Sequence, residues 1–224
     1  MKVLDSKTIS IYSNVQLNVI NSNTGTVERK FCGHNKITSR GIEVLTDYIS
    51  GYFSISKDYA SNHEESVRII NTWLENVPSY IEIGTSNTPE NYTDTGVLNP
   101  IIDPITKNKI TFALSSGPSS TIQTTASGSL SEETSYGDGK TVSFAALSKS
   151  TTFNNFPSGT SSEVLNNDGE VIELSELALM SSNGKCWARI CLSDKKMILN
   201  KRRVYDIIWN VTLTSLSTQN IIIG

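Results

Sequence analysis

Residues 204–215, VYDIIWNVTLTS, alternate between apolar and polar side chains along their length. The apolar face carries Tyr205, Ile207, Trp209, Val211 and Leu213, and the opposite face includes Asp206, Asn210 and Thr212. Because successive side chains of a strand point to opposite faces, this alternation predicts a β-strand that buries one face. The segment therefore indicates an antiparallel sheet with Trp209 in its core.

The same two-residue period recurs in three earlier segments, KITFAL (109–114), TVSFAAL (141–147) and VIELSELALMS (171–181). Residues 15–34 predict a hairpin, in which residues 21–25 supply the turn. Short strands separated by turns rich in Gly and Asn are typical of a sandwich. The predicted fold class is mainly β, an antiparallel β-sandwich with one or two short α-helices.

Between the hairpin and the later strands, residues 38–77 change to a helical period. The first predicted helix places Ile42, Leu45, Tyr48, Ile49 and Tyr52 on one face. Thr38 or Ser39 can cap its beginning, and Gly51 can end it. A second, weaker pattern places Val67, Ile70, Trp73 and Leu74 together. We therefore expect a helical insertion in this part of the chain.

The chain divides into two unequal parts. Residues 1–14 predict an extended N-terminal arm that could add a strand to the sheet edge of a neighbouring molecule. Residues 15–224 predict a single β-sandwich domain. Within it, residues 115–139 and 149–169 are long tracts rich in Ser and Thr, which indicate protruding hairpins or mobile loops.

Composition excludes several classes of partner. The 224 residues carry a formal net charge of -3, which is too small to indicate nucleic acid or an anionic membrane as a partner. We find no apolar stretch of membrane-spanning length. The three Cys are an odd number, which does not fit a disulfide framework, so we expect reduced thiols. Synthesis in a cytoplasm is the expectation that follows.

Candidate catalytic and ligand-binding residues are few. Cys32 and His34 could form a thiolate–imidazole pair, but no third group orients them, and a strand end followed by a turn explains both. Residues 135–141, SYGDGKT, lack the first glycine of a phosphate loop. Residues 166–170, NNDGE, lack most calcium ligands and favour a tight turn. We expect no catalytic residues, no metal and no cofactor.

The basic segment DKKMILNKRR, residues 194–203, has two interpretations. It could contact phosphate or an acidic surface of another protein. A solvated turn between two strands explains the same charges and is the simpler interpretation.

A long polar loop follows an apolar strand in YIEIGTSNTPENYTDTGVL, residues 80–98. Four interpretations compete: a phosphate cradle, a metal loop, a sugar site and a rigid connector. The loop lacks the glycines of the first and the carboxylates of the second. Thr88 can cap a helical turn, Pro89 suits its first position, and Glu90 suits its positive end. These features favour an ordered connector.

This stretch resembles a motif in small structural proteins of tailed bacteriophages, in which a strand ending in Gly-Thr precedes Thr-x-Pro and Asp-Thr-x-Leu. The matching residues are Gly84, Thr85, Thr88, Pro89, Asp94, Thr95 and Leu98. A strand ending in Gly-His-Asn before a helix, residues 33–51, is similar to the preceding block. A later strand and hairpin match at Leu174, Glu176, Ala178, Leu179, Ala188 and Arg189, and residues 204–215 resemble the closing strand. All four blocks occur in the expected order.

The resemblance implies a component of a bacteriophage virion without enzymatic activity. Its expected function is that of an adaptor in the tail, the neck or collar, or the baseplate, which docks onto a symmetric ring and joins other virion proteins. Self-association is expected as well. Ala178 stands where the family usually has Gly, and residues 54–78 and 115–169 are longer than usual. These departures leave open which virion element the chain forms.

The expected interface consists of the polar loop, the arm and the C-terminal segment. Its residues are Thr85, Thr88, Pro89, Glu90, Asp94, Thr95, Ile9, Ile11, Ile221 and Ile222. The alternative function is a receptor- or carbohydrate-binding module of a tail fibre. That module would use aromatic residues in the loops, namely Tyr92, Tyr136, Phe153 and Phe156.

Overall fold

The computed structural model describes residues 7–43, 75–115, 119–124 and 139–217, with side chains described for residues 11–43, 75–115 and 143–212. In these residues the chain is mainly β and its sheets are antiparallel, which confirms the predicted fold class. The strands are β1 (Lys7–Asn21), β2 (Val27–His34), β3 (Lys36–Ile37), β4 (Pro78–Gly84), β5 (Thr111–Ala113), β6 (Ser119–Thr124), β7 (Gly139–Leu147), β8 (Glu173–Leu174), β9 (Glu176–Ser181), β10 (Cys186–Cys191), β11 (Met197–Ile198) and β12 (Arg203–Ser217).

Among the described residues, two five-stranded sheets form the sandwich. The strand order is β2-β1-β12-β7-β6 in the first sheet and β3-β10-β9-β4-β5 in the second. Strands β8 and β11 form a small additional sheet. The hairpin predicted for residues 15–34 corresponds to β1 and β2, which are joined by a turn with Gly25 in a left-handed conformation.

The core lies between the facing sides of the two sheets. In the first sheet, β1 and β12 pair along 15 residues, which sets Val15 opposite Trp209 and Leu17 opposite Ile207. These four side chains are almost completely buried and belong to one hydrophobic cluster. The alternation of residues 204–211 is therefore confirmed as the pattern of a strand with one core-facing side.

Strands β9 and β10 of the second sheet are buried on both faces. Leu177 and Leu179 of β9 face the main core. Ala178 and Met180 alternate with them and form a second, smaller cluster with Val97 of the polar loop. The loop therefore covers the outer face of the sheet, and this explains why β9 lacks a solvated face.

The beginning of the first predicted helix is confirmed. Residues 39–43 are helical, and the Thr38 hydroxyl accepts a 3.1 Å hydrogen bond from the Gly41 amide, which makes Thr38 the cap. Residues 75–76 are helical too. The predicted helical faces at residues 45–52 and 67–74 lie outside the described residues.

Residues 7–14 require a correction. The sequence predicts that they belong to an arm for a neighbouring sheet, but they form the first half of β1 and pair with residues 210–217 of the chain's own β12. The weak alternation of these residues is expected both for a strand added to a neighbouring molecule and for a strand of the chain's own sheet. The partner strand lies about two hundred residues further along the chain, and local sequence carries no signal for such a distant pairing.

The tract of residues 149–169 folds against the core. Phe153 and Phe156 contact each other edge to face, and Phe153 contacts Tyr205 in the same way. The tight turn expected at Asp168 and Gly169 is present, with Gly169 at φ +82°. Within the other long tract, residues 119–124 form β6, whereas residues 125–138 lie outside the described residues.

Candidate functional site

Arg189 is the centre of a buried charged cluster beneath the polar loop. It lies in β10, and its side chain is completely buried. Its Nε and Nη2 atoms lie 2.8 and 2.7 Å from Oε2 of Glu176. Its Nη1 atom donates to Oδ2 of Asp94 at 3.0 Å. We call Arg189, Glu176 and Asp94 the ionic cluster.

Arg189 also binds the backbone of the loop. Its Nη2 donates to the carbonyl oxygen of Thr88 at 3.0 Å, and its Nη1 donates to that of Pro89 at 3.3 Å. Burial alone would lower the pKa of Arg189, but the hydrogen bonds and charges of Glu176 and Asp94 raise it above its ordinary value. Arg189 therefore remains charged and joins two segments about a hundred residues apart.

Glu176 holds both ends of the loop. Its Oε1 accepts the backbone amides of Ser86 at 3.1 Å and Asn99 at 2.8 Å, and its Oε2 accepts that of Leu98 at 2.9 Å. One fully buried carboxylate thus binds three backbone amides and a guanidinium. Such charge-assisted bonds are the strongest that a side chain forms with a backbone.

Two further carboxylates of the loop face inward. Asp94 accepts the amide of Asn91 at 2.7 Å, which closes a turn inside the loop. Glu90 accepts the amide of Cys191 at 2.7 Å, which ties the loop to the end of β10. Of the four interpretations of the loop, the geometry agrees with the rigid connector.

Gly84, at the end of β4, packs closely against Glu176 and Asn99. A Cβ atom at this position would lie 2.4 Å from Oε1 of Glu176 and 2.7 Å from the carbonyl oxygen of Asn99. The hydrogen bonds described above fix Oε1 of Glu176, and the carbonyl oxygen of Asn99 accepts the Thr85 amide at 2.9 Å. Gly84 is therefore required so that the strand end can approach the carboxylate.

The negative charges of this region act on a neighbouring thiol. Burial raises the pKa of Cys186 to about 12, and the carboxylates of Asp94 and Glu82 contribute to the increase. The structure contains Cys32, Cys186 and Cys191 as free thiols, in agreement with the expectation of reduced cysteines.

The expected interface residues fall into different environments. The expectation for Asp94 requires a correction: its carboxylate is buried against Arg189 and is not exposed to a partner. Glu90 and Thr85 are half-buried. Thr88, Pro89 and Thr95 are exposed, as an interface requires.

The remaining interface residues lie away from the loop. Ile11 is half-buried against the main core, and Ile9 pairs with Ser215 inside the first sheet. Both belong to the corrected part of the arm. Ile221 and Ile222 lie outside the described residues.

The basic segment makes contacts within the chain. Lys196 pairs with Glu173, and Arg203 pairs with Glu28 at 2.7 Å. The Lys195 ammonium lies 5.6 Å from the centre of the Phe31 ring. The interpretation of a solvated turn is therefore right only in part, because the segment contains β11 and buries Met197 and Leu199.

Two of the four aromatic residues considered for sugar binding are buried. Phe153 is 3% and Phe156 is 5% exposed, so neither can present a face to a ligand. Tyr92 is 51% exposed and lines a groove of about 440 Å³ with Tyr12 and Ile42. Tyr136 lies outside the described residues.

Sequence reasoning identified Glu176 and Arg189 only through the resemblance and gave neither a role. A physical signal for both exists in the sequence. Each is the single charged residue of its strand, ELALMS for Glu176 and CWARIC for Arg189, and the other residues are apolar except Ser181. Because a buried charge requires an opposite charge, two such strands indicate a buried ion pair.

In the described ranges, no group of three or more His, Cys, Asp or Glu side chains could hold a metal ion. No helix among the same residues is both long and apolar enough to span a membrane. The chain matches no protein-family model, no curated protein and no solved structure.

Proposed function

We propose that the protein is a structural component of a bacteriophage virion. In this proposal it is an adaptor of the tail, the neck or collar, or the baseplate, which docks onto a symmetric ring, associates with its own copies and joins other virion proteins. It has no catalytic role, needs no cofactor, and has neither nucleic acid nor membrane as a partner.

One observation carries the proposal. The residues that resemble the phage motif are distant in the sequence, yet Gly84, Asp94, Glu176 and Arg189 meet at the ionic cluster. The separate blocks therefore contribute to one packing arrangement, as the parts of a single structural motif would, and this supports the proposal.

The geometry also suits mechanical work. The ionic cluster fixes the backbone of the loop from below, while Thr88, Pro89 and Thr95 face solvent. A loop that is already ordered loses little conformational entropy when it docks. The exposed side of this loop is therefore the docking surface in our proposal.

The test uses phage particles whose genome encodes the chain. We expect mass spectrometry to detect the protein in purified particles, and a cryo-EM map to place the loop against a neighbouring subunit. Thr95→Trp should reduce the number of copies per particle without changing the melting temperature of the isolated protein. Asn23→Trp, in the exposed turn between β1 and β2, is the matched control.

Three results would contradict the proposal. The first is absence of the wild-type chain from particles. The second is a map in which the loop faces solvent. The third is normal incorporation of the Thr95→Trp variant.

A further inference from the structure

A groove of about 470 Å³ lies beside the loop, and the adaptor proposal gives it no role. One wall is the segment of residues 99–104. The other is the hairpin of residues 165–171, which is closed by a bridge between Leu165 and Val171. We call it the amide groove because four Asn side chains line it, namely Asn87, Asn99, Asn166 and Asn167.

The four carboxamides differ in their hydrogen bonds. Asn99 donates to the Thr85 hydroxyl at 2.5 Å, and Asn166 donates to the Glu170 carboxylate at 3.1 Å. Asn87 and Asn167 are exposed, and their carboxamides make no hydrogen bond to any residue that the structure describes. Two amides are thus fixed in the wall, and two are free to bind a ligand.

The other lining groups are acceptors, hydroxyls and aliphatic surfaces. Glu170 and Glu173 supply carboxylates, of which that of Glu173 is paired with Lys196, and the buried Ser175 lies at the base. Among the described lining residues there is no Lys, Arg or His. Ile102 and Val171, at 40% and 44% exposure, add apolar surface beside these polar groups.

Part of the backbone of both walls is already engaged. Ile101 donates its amide to Ile83 and accepts the amide of Ile110, and Ile172 donates to Val164. Pro100 and Pro104 have no amide hydrogen. These engaged groups leave an extended peptide few backbone partners in the walls, and the exposed carboxamides favour a ligand that binds through side chains.

We propose that the amide groove binds a neutral oligosaccharide. A carboxamide presents a donor and an acceptor side by side, and each sugar hydroxyl both donates and accepts. The Glu170 carboxylate accepts from a further hydroxyl, and the apolar surface of Ile102 and Val171 covers the C–H face of a ring. Glu170 and the lack of cations among the described lining residues disfavour anionic ligands. The volume lies within the roughly 300–1,000 Å³ that is typical of ligand sites.

The experiment applies the purified chain to an array of neutral oligosaccharides built from hexoses and N-acetylhexosamines. Sialylated and sulfated glycans and an array of extended peptides accompany it. Titration calorimetry then measures the affinity for the neutral glycans that bind. We expect Asn87→Ala and Asn167→Ala each to weaken binding roughly 10-fold, the effect of one hydrogen bond lost from a polar ligand. Val171→Arg should abolish binding because it fills the groove, while Asn23→Ala should change nothing.

Binding to no neutral glycan overturns the proposal, as does binding that survives Val171→Arg. Binding to anionic glycans or peptides alone overturns it too, and assigns the groove to that ligand. The adaptor proposal is tested separately, because incorporation into particles depends on the loop surface. Asn167→Ala should bind the glycan roughly 10-fold more weakly and still enter particles normally.

Discussion

Arg189 and Glu176 lie on neighbouring strands with both side chains fully buried, and two guanidinium nitrogens lie within 2.8 Å of one carboxylate oxygen. Asp94 adds a second carboxylate to the same guanidinium. Removal of solvent from charges is costly, so the cluster is stable only while every partner is present. This relationship connects the strands of the second sheet to the loop that covers them.

Arg189→Met should therefore destabilise the fold strongly. The substitution leaves two buried carboxylates without a counter-ion, and removal of one partner from a buried ion pair costs roughly 3–5 kcal/mol. Chemical denaturation at neutral pH measures the loss. Arg29→Met, on the exposed strand β2, is the control and should change the unfolding free energy very little. An unchanged denaturation midpoint in Arg189→Met would refute the structural role of the cluster.

Gly84→Ala should also destabilise the protein, by roughly 1–3 kcal/mol, as is typical of overpacking. The added methyl group would overlap an oxygen of Glu176 and the carbonyl oxygen of Asn99. Hydrogen exchange provides a local measurement, and the amides of Ser86 and Asn99 should exchange faster in the variant. Gly25→Asn is the control, because a side chain there meets open space and Asn tolerates positive φ. Unaltered exchange at both amides would show that the strand end can move away.

The sequence predicts this structure well where interacting residues are close along the chain and poorly where they are far apart. Alternation along residues 204–211 and the turn of the first hairpin identify strands correctly, because both signals are local. The pairing of residues 7–14 with β12 is not local, and a fraying arm and a sheet strand have the same sequence pattern. The assignment of this segment to an arm was wrong for that reason.

The ionic cluster is also difficult to predict, because its members are far apart in the sequence. Asp94 stands in a polar loop, where a carboxylate normally faces solvent. Its burial depends on Arg189, which lies 95 positions away. The single charged residues in β9 and β10 indicate a buried pair, but no local pattern selects Asp94 as the third member.

Trp209→Ala tests the core of the first sheet. Trp209 is completely buried, and its Nε1 donates to the Ser13 hydroxyl at 3.0 Å. The large cavity should cost roughly 3–5 kcal/mol. Thermal unfolding followed by circular dichroism measures the effect, and Tyr92→Ala at a half-exposed aromatic residue is the control. If both variants melted at the same temperature as the wild type, Trp209 would not be a core residue.

Cys186 should resist alkylation and make the fold sensitive to alkaline pH. Its pKa is raised to about 12 from an ordinary value of 9.0, mainly by burial. The folded state therefore keeps the thiol proton at pH values where the unfolded state has lost it. The contribution of Cys186 to the free energy of unfolding is fully present below pH 9.0 and is lost as the pH rises toward about 12.

Mass spectrometry after iodoacetamide treatment at pH 8 should find the exposed Cys32 modified and Cys186 intact. Denaturation at several alkaline pH values should show a smaller loss of stability in Cys186→Ala than in the wild type. Rapid alkylation of Cys186 in the folded protein would contradict this prediction.

Deletion of residues 1–12 should weaken the first sheet. It removes the pairing of residues 7–12 with residues 212–217, although β7 still pairs with residues 206–214 on the other side of β12. It also removes Ile11 from the edge of the core, and partial burial of such a side chain contributes roughly 1–2 kcal/mol. We expect a lower unfolding free energy with a retained β spectrum. Deletion of residues 1–6 keeps every pair between β1 and β12 and is the matched control. Equal stability of the two truncated chains would mean that residues 7–12 add nothing to the fold, and the function of an arm would again explain them better.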